Sequence, residues 1–174
     1  MADGGLYFAY GSNINLDQME CRCPDACVVG PVSLENYELL FRRGGFATIA
    51  PCEGGKVHGL LWSFTPECEQ SLDRYEGCPR FYDKRTVMVR DSLGRELSVM
   101  AYIMDERFRE PMLPSATYYN GILDGYRQNG LPVAALKKAW DHAVREVRQE
   151  TERVNAIFAG RVMPSKKGKD QHER

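Results

Sequence analysis

The hydrophobic pattern of this chain changes its period once, close to Met104. Before that point, short apolar runs alternate with polar residues and are separated by Gly, Pro, Asn and Asp, which is typical of β-strands. After it, apolar residues recur every three or four positions, which indicates amphipathic helices. The pattern therefore predicts a strand-rich first two-thirds followed by a helical end. The predicted strands cover 6–10, 27–30, 37–41, 47–50, 57–64, 85–90 and 97–104, with a hairpin turn at 91–94.

Helix-capping residues predict where the helices begin. The signals are Asn15 for a helix over 16–20, Thr65 for one over about 66–76, and Ser115 for one to about residue 128. Pro132 opens a longer helix. Its sheet-facing residues are expected to be Val133, Leu136, Trp140, Val144 and Val147.

Length and charge limit the class of protein. At 174 residues the chain fits one domain, predicted over 1–163, with a disordered polar tail over 164–174. A net charge of -1 gives no overall attraction to nucleic acid or to an anionic membrane. The N-terminal region has no basic signal-peptide start and no run long enough to span a bilayer, so we expect a cytoplasmic protein that is not inserted in a membrane.

The first predicted strand ends in Gly11-Ser12-Asn13, directly before the first predicted helix. Glycine allows a close approach, and successive N–H groups at a helix start point towards whatever lies in front of them. Such a loop can bind a carboxylate or a carbonyl oxygen that becomes negative. Gly-Ser-Asn is also an ordinary turn composition, so this stretch alone leaves both interpretations open.

Glu76 is the candidate acid/base. It falls at the predicted end of a helix, where the helix dipole disfavours a negative charge, and aromatic residues follow at Phe81 and Tyr82. Burial there would raise the pKa of the carboxyl towards the range of a general acid/base, whereas Arg74 and Arg80 would act in the opposite direction. The alternative is a solvated glutamate at a helix end.

Other reactive residues give weaker signals. The three histidines, His58, His142 and His172, form no pair at metal-ligand spacing. Six cysteines are expected to be reduced thiols, although the C-x-C-x3-C spacing at 21–27 leaves a soft-metal site as an alternative. Ser12 does not lie in a G-x-S-x-G nucleophile elbow. Tyr118 and Tyr119 begin a predicted helix, where aromatic residues pack more often than they act.

Six segments, in order along the chain, resemble the γ-glutamylcyclotransferase (AIG2-like) family. They are YFAYGSN at 7–13, GGFATIAP at 44–51, VHGLLWSF at 57–64, LDRYEG at 72–77, PSATYY at 114–119 and NGLP at 129–132. The joint signal is the Y-G-S-N loop after the first strand together with a glutamate that ends an L-D-x-x-E-G segment. The resemblance covers roughly residues 6–132, and nothing functional carries over to the remainder.

The resemblance implies an α+β fold with a small, mixed, barrel-like sheet and surrounding helices. It also implies a reaction that needs no protein nucleophile, metal or cofactor. The α-amine of a small γ-glutamyl substrate attacks the substrate's own γ-carbonyl, which releases 5-oxoproline and an amino acid or amine. Neither nucleic acid nor a membrane is an implied partner, and a homodimer is left open.

The resemblance also assigns roles to residues. The loop Gly11-Ser12-Asn13 would hold the substrate α-carboxylate or the γ-carbonyl oxygen, and Glu76 would move the proton. Tyr10, Tyr82 and Tyr118 would line the substrate pocket. The alternatives are a non-catalytic small-molecule binding module of the same fold and a Cys-rich metal-binding protein.

Overall fold

The structure is a computed structural model, and it describes residues 4–161. The predicted tail over 164–174 lies outside the described residues. The strands are β1 (Gly5–Ala9), β2 (Cys27–Arg42), β3 (Phe46–Phe64), β4 (Tyr82–Asp91) and β5 (Glu96–Met104). The α-helices are α1 (Leu16–Arg22), α2 (Pro66–Glu76), α3 (Ala116–Gln128) and α4 (Val133–Arg161). Short 3-10 helices occupy Ser12–Ile14, Arg43–Gly45 and Glu106–Phe108.

The five strands form a closed barrel in the order β1-β3-β2-β4-β5. β1 pairs antiparallel with β3 and parallel with β5, so the sheet is mixed. The barrel closes through short pairings: β1 meets β5 at Tyr7 and Met100, and β2 meets β4 only at Val32 and Ser33. Phe8, Leu60 and Val89 are among the fully buried residues of its core. The expected α+β fold with a small mixed barrel is confirmed.

Four of the predicted strands are wrong in their bounds because they merge into two long strands. β2 contains both 27–30 and 37–41, and β3 contains both 47–50 and 57–64. The two strands pair continuously, with register shifts between Val28 and Gly30 and between Glu35 and Tyr37. These bulges absorb residues that look like turns in the sequence. At the second bulge Asn36 has a φ of 60°, and its side-chain oxygen accepts a hydrogen bond from the Gly54 N–H at 3.0 Å.

The predicted helix caps are confirmed. In each cap, the side-chain oxygen accepts a hydrogen bond from the backbone N–H three residues later. The pairs are Asn15 with Gln18 (3.1 Å), Thr65 with Cys68 (3.2 Å) and Ser115 with Tyr118 (3.2 Å). α1 continues past its predicted end at residue 20 as far as Arg22. α2 ends at Glu76 because Gly77 adopts the left-handed conformation, with a φ of 63°.

The buried face of α4 is rotated relative to the prediction. Leu136, Ala139 and Ala143 are buried, whereas Val133 and Val144 are 39% and 40% exposed. Alanine side chains allow the helix to approach the barrel closely, so small residues rather than the larger valines lie at the contact. In the described residues, no helix is long and apolar enough to cross a membrane.

The Thr65 cap fixes the start of the helix that ends at Glu76, so its loss should destabilise the fold. We expect Thr65→Ala to lower the free energy of unfolding by about 1 kcal/mol, the usual cost of losing such a cap, and Thr65→Ser to leave it nearly unchanged. Urea unfolding of the two variants and the wild type measures the difference. Equal losses in the two variants would contradict a capping role for the hydroxyl.

Candidate active site

One cavity, here called the site cavity, has a volume of about 180 Å³ and lies where the end of β1, the end of α2 and the first turn of α3 meet. It is small beside typical ligand pockets of about 300–1,000 Å³, so it can enclose only a small chemical group. It is lined by Tyr7, Tyr10, Gly11, Ser12, Asn13, Phe46, Ala47, Tyr75, Glu76, Phe81, Tyr82, Tyr102 and Tyr118. This lining includes every site residue predicted from the sequence: Tyr10, Gly11, Ser12, Asn13, Glu76, Tyr82 and Tyr118.

The Gly11-Ser12-Asn13 loop lines this cavity. Its backbone bonds run from the Ile14 N–H to the Gly11 carbonyl (3.2 Å) and from the Asn15 N–H to the Ser12 carbonyl (3.1 Å). The donors of these two bonds are the N–H groups of Ile14 and Asn15. The N–H groups of Gly11, Ser12 and Asn13 are not used in either bond. Ser12 and Asn13 are only 7% and 3% exposed. The loop is therefore a built, buried part of a cavity wall rather than a solvated turn.

The side chain of Asn13 links the loop to the end of α2. Its amide nitrogen donates to the Glu76 carboxylate at 3.0 Å and to the Tyr7 hydroxyl at 2.9 Å. Its amide oxygen accepts from the Arg22 guanidinium at 2.6 Å. Its backbone carbonyl accepts from the Trp62 indole N–H at 3.0 Å. The three side-chain contacts fix the orientation of the amide, with its nitrogen towards the Glu76 carboxylate and the Tyr7 hydroxyl, and the fourth contact holds the backbone.

Burial raises the pKa of the Glu76 carboxyl from its ordinary value of 4.5 to about 7. The Arg22 guanidinium and the hydrogen bond from Asn13 act in the opposite direction, and burial outweighs both. Arg74 and Arg80, which the sequence suggested as opposing charges, are exposed. Near neutral pH this carboxyl can therefore both accept and return a proton.

Tyrosine hydroxyls line much of the remaining wall, and burial raises the pKa of Tyr7, Tyr10, Tyr82 and Tyr118. All four phenols are thus neutral hydrogen-bond donors at physiological pH. Tyr82 donates to the Ala47 carbonyl at 2.6 Å, and Tyr10 donates to the carbonyl of Tyr102. The first bond joins β4 to β3, which are not adjacent in the barrel, and the second joins the end of β1 to its neighbour β5.

Two of the tyrosine hydroxyls instead act as acceptors. Tyr118 accepts from the Ala47 N–H at 3.1 Å, and Tyr7 accepts from the Asn13 amide at 2.9 Å. No hydrogen bond within residues 4–161 uses the phenolic proton of either residue. The site cavity therefore offers two neutral O–H donors to a ligand.

Sequence reasoning missed Arg22, Tyr7 and Tyr75. Arg22 donates to Ser12 Oγ at 3.1 Å, and its guanidinium lies 3.9 Å over the Tyr75 ring. A signal for Arg22 exists, because it stands four residues after Gln18 on one helix face and donates to it at 2.8 Å. Strand alternation would put Tyr7 and Tyr10 on opposite faces, but β1 ends at Ala9 and both reach the cavity.

The cysteines of the C-x-C-x3-C segment do not converge. Cys23 is buried, and its thiol donates to the Cys68 carbonyl at 3.5 Å, whereas Cys21 and Cys27 are exposed. Residues 4–161 contain no group of three or more His, Cys, Asp or Glu side chains arranged to hold a metal. His142 lies 3.5 Å from Glu38, away from the site cavity. His172 lies outside the described residues.

The raised pKa of Glu76 predicts how stability depends on pH. Between pH 4.5 and about 7 the folded chain holds a proton that the unfolded chain has lost. The stability that the folded chain has with Glu76 protonated is fully present below pH 4.5 and is lost as the pH rises through about 7. Relative to wild type, Glu76→Gln should therefore gain about 3 kcal/mol of unfolding free energy between pH 4 and pH 8. Urea unfolding across this range measures the gain, and parallel curves for the two proteins would contradict it.

Comparisons with known proteins agree with the family resemblance. The profile of the family described as "Gamma-glutamyl cyclotransferase, AIG2-like" matches residues 7–120. Proteins named gamma-glutamylcyclotransferase from Bos taurus and Homo sapiens are 33% and 32% identical, each over 76% of this chain and 76% of the relative.

Solved structures lead to the same family. One named gamma-glutamyl cyclotransferase superposes with a TM-score of 0.72 at 30% identity, over 79% of this chain and 86% of that one. The crystal structure of an uncharacterised Homo sapiens protein gives a TM-score of 0.71 at 31% identity, with the same coverage of both chains. The family expected from the sequence is confirmed: this chain belongs to the γ-glutamyl cyclotransferase, AIG2-like family.

Proposed function

We propose that this protein is a γ-glutamylcyclotransferase, which converts a γ-glutamyl compound into 5-oxoproline and a free amino acid or amine. The observation that carries the proposal is the 3.0 Å hydrogen bond between the Asn13 amide and the Glu76 carboxylate inside one small cavity. Family membership supports the same reaction. A binding module without catalysis would have no need for a buried carboxyl with a pKa of about 7.

Glu76 is proposed to move one proton in each half of the reaction. It first accepts a proton from the substrate α-ammonium, which frees the nitrogen lone pair. That nitrogen attacks the γ-carbonyl carbon, a C–N bond forms, and the carbonyl oxygen becomes negative. As the carbonyl re-forms and the bond to the leaving nitrogen breaks, Glu76 returns its proton to that nitrogen. The extra proton on the attacking nitrogen passes to the released amine, so the ring of 5-oxoproline keeps one N–H and the amine departs as an ammonium. The carboxylate is then ready for the next cycle, and no water is consumed.

Confinement of the substrate in the cavity is a second contribution to the rate of the proposed reaction. The attacking amine and the carbonyl belong to one molecule, so the cavity has only to fold the glutamyl chain into the attacking conformation. Well-oriented intramolecular reactions gain about 7–11 kcal/mol in this way. A cavity of about 180 Å³ with a rigid tyrosine wall is suited to that task.

The Gly11-Ser12-Asn13 loop is proposed to hold either the α-carboxylate or the developing oxyanion with its backbone N–H groups. Arg22 acts through this loop as a positioning residue, because it donates to Ser12 Oγ and to the Asn13 amide oxygen. Tyr118 and Tyr7 add neutral O–H donors. Tyr10 and Tyr82 keep the wall in shape through their bonds to backbone carbonyls.

The proposal includes a cellular setting. Ring closure moves an acyl group to the substrate's own nitrogen, so the reaction has both acyltransferase and lyase character. Glutathione carries a γ-glutamyl bond, and we therefore place the enzyme in cytoplasmic glutathione metabolism. A homodimer is the expected alternative to a monomer, and analytical ultracentrifugation distinguishes the two.

Glu76→Gln should remove most of the activity while the fold is kept. The amide preserves the shape and the contact with Asn13, but it cannot accept and return a proton. We expect kcat to fall by about 10²–10⁴-fold, the usual contribution of a general acid/base. The assay is release of 5-oxoproline, with circular dichroism to verify the fold. In the wild type, kcat/KM should rise with pH through about 7, and a fully active Gln variant would exclude this role for Glu76.

Tyr118→Phe and Tyr82→Phe form a matched pair, because each hydroxyl makes one hydrogen bond to Ala47 in the described structure. Only the Tyr118 proton is free for substrate. We expect Tyr118→Phe to lower kcat/KM by about 10-fold or more, the cost of one lost transition-state hydrogen bond of about 1.5 kcal/mol. Tyr82→Phe should mainly lower thermal stability. Equal activity losses in the two variants would contradict the distinction.

A further inference from the structure

The site cavity is polar at its floor and aromatic at its mouth. Tyr7, Asn13 and Tyr82 are between 3% and 6% exposed and present hydroxyl and amide groups. Phe46 is 41% exposed, and Phe81, which lies against it, is partly buried. The two phenylalanine rings, here called the aromatic rim, pack edge to face with their centres 6.1 Å apart. The aromatic rim is therefore an apolar part of the exposed side of the cavity, which also includes Tyr75, a residue 49% exposed.

Both rim rings are positioned by glycines in the left-handed conformation. Gly44 has a φ of 74°, and a Cβ atom there would lie 2.7 Å from the Phe46 ring. Gly77 has a φ of 63°, and a Cβ atom there would lie 3.3 Å from the Cβ of Phe81. A side chain at position 44 would displace the Phe46 ring, so this ring position requires glycine at position 44.

One guanidinium without an ion-pair partner in the described residues lies near the aromatic rim. Phe81 packs against Phe108 with ring centres 5.1 Å apart, and the Arg43 guanidinium lies 5.2 Å from the Phe108 ring. Arg43 forms no ion pair with any residue in the described part of the chain. A second guanidinium near Phe108, that of Arg107, is paired with Asp105. A cation at the mouth would therefore meet an uncompensated positive charge.

We propose that the aromatic rim of Phe46 and Phe81 binds the leaving group and selects γ-glutamyl amino acids whose released residue has a neutral, apolar side chain. This inference rests on the proposed function. The glutamyl part must reach Glu76 and the Gly11-Ser12-Asn13 loop at the floor, so the group on the leaving nitrogen extends towards the mouth. There it meets two aromatic faces and, beside them, a guanidinium. An apolar side chain gains contact at this place, glycine gains none, and a cationic side chain is repelled.

The test compares three substrates that differ only in the released residue: γ-glutamyl-leucine, γ-glutamyl-glycine and γ-glutamyl-lysine joined through the α-nitrogen of lysine. We expect kcat/KM for 5-oxoproline release to be about 10-fold higher for leucine than for glycine, and lowest for lysine. Phe46→Ala should reduce the leucine-to-glycine ratio to about threefold or less; the ratio is the readout because Phe46 also packs on Tyr118, so both values can fall. Phe46→Leu should restore most of the ratio.

Phe158→Ala is the matched control, because Phe158 is 61% exposed on α4 and does not line the site cavity. Its leucine-to-glycine ratio should equal that of the wild type. Equal rates for leucine and glycine in the wild type, or equal losses for both substrates in Phe46→Ala, would overturn the rim inference while 5-oxoproline release upholds the proposed function. No release from any of the three would overturn the proposed function and this inference with it.

Discussion

The hydrogen bond between the Asn13 amide and the Glu76 carboxylate joins two parts of the chain that lie 63 residues apart in sequence. Neither partner could reach the other without the barrel. β1 delivers the loop, and the indole N–H of Trp62 on β3 holds the Asn13 backbone at 3.0 Å. Gly77 ends α2 directly after Glu76, so the carboxyl stands at the last turn facing the loop. The geometry of the site is thus a property of strand pairing and helix termination together.

The pKa of Glu76 depends on the orientation of the Arg22 side chain. The guanidinium donates to the amide oxygen of Asn13, and the amide nitrogen of Asn13 contacts the carboxylate. An amide therefore stands between the two charges, where a direct ion pair would have stabilised the carboxylate strongly. Burial then dominates and raises the pKa to about 7. The same Arg22 also contacts Ser12, so it organises the loop without removing the proton affinity that the proposed reaction needs.

Local signals in the sequence predicted much of the fold. The caps at Asn15, Thr65 and Ser115 form as predicted, because each depends on a side chain and a backbone N–H three residues away. The long strands β2 and β3 were not predicted, because a bulge depends on the partner strand rather than on local composition. The buried face of α4 was misjudged for a related reason: apolar spacing does not reveal that alanines make the closest contact.

Less of the candidate site than of the fold could be predicted from local sequence signals. Burial of Glu76 was only a condition in the sequence reasoning, since a lone glutamate is usually solvated. The resemblance to a family supplied the pairing of Glu76 with the Gly-Ser-Asn loop. Arg22 and Tyr7 were missed because their roles arise from contacts with Asn13. The four-residue spacing from Gln18 places Arg22 on a helix face but does not reveal its contact with Asn13. The aromatic rim likewise depends on tertiary packing, since Phe46 and Phe81 meet only in the folded chain.

The most direct measurement of the central claim is mass spectrometry of the products formed from a γ-glutamyl amino acid in ¹⁸O-labelled water. Attack by the substrate's own amine uses no water. The account therefore predicts 5-oxoproline that carries no label, together with one equivalent of the free amino acid. Glutamate carrying one ¹⁸O atom as the main product would show that water attacks the γ-carbonyl, and it would contradict the account.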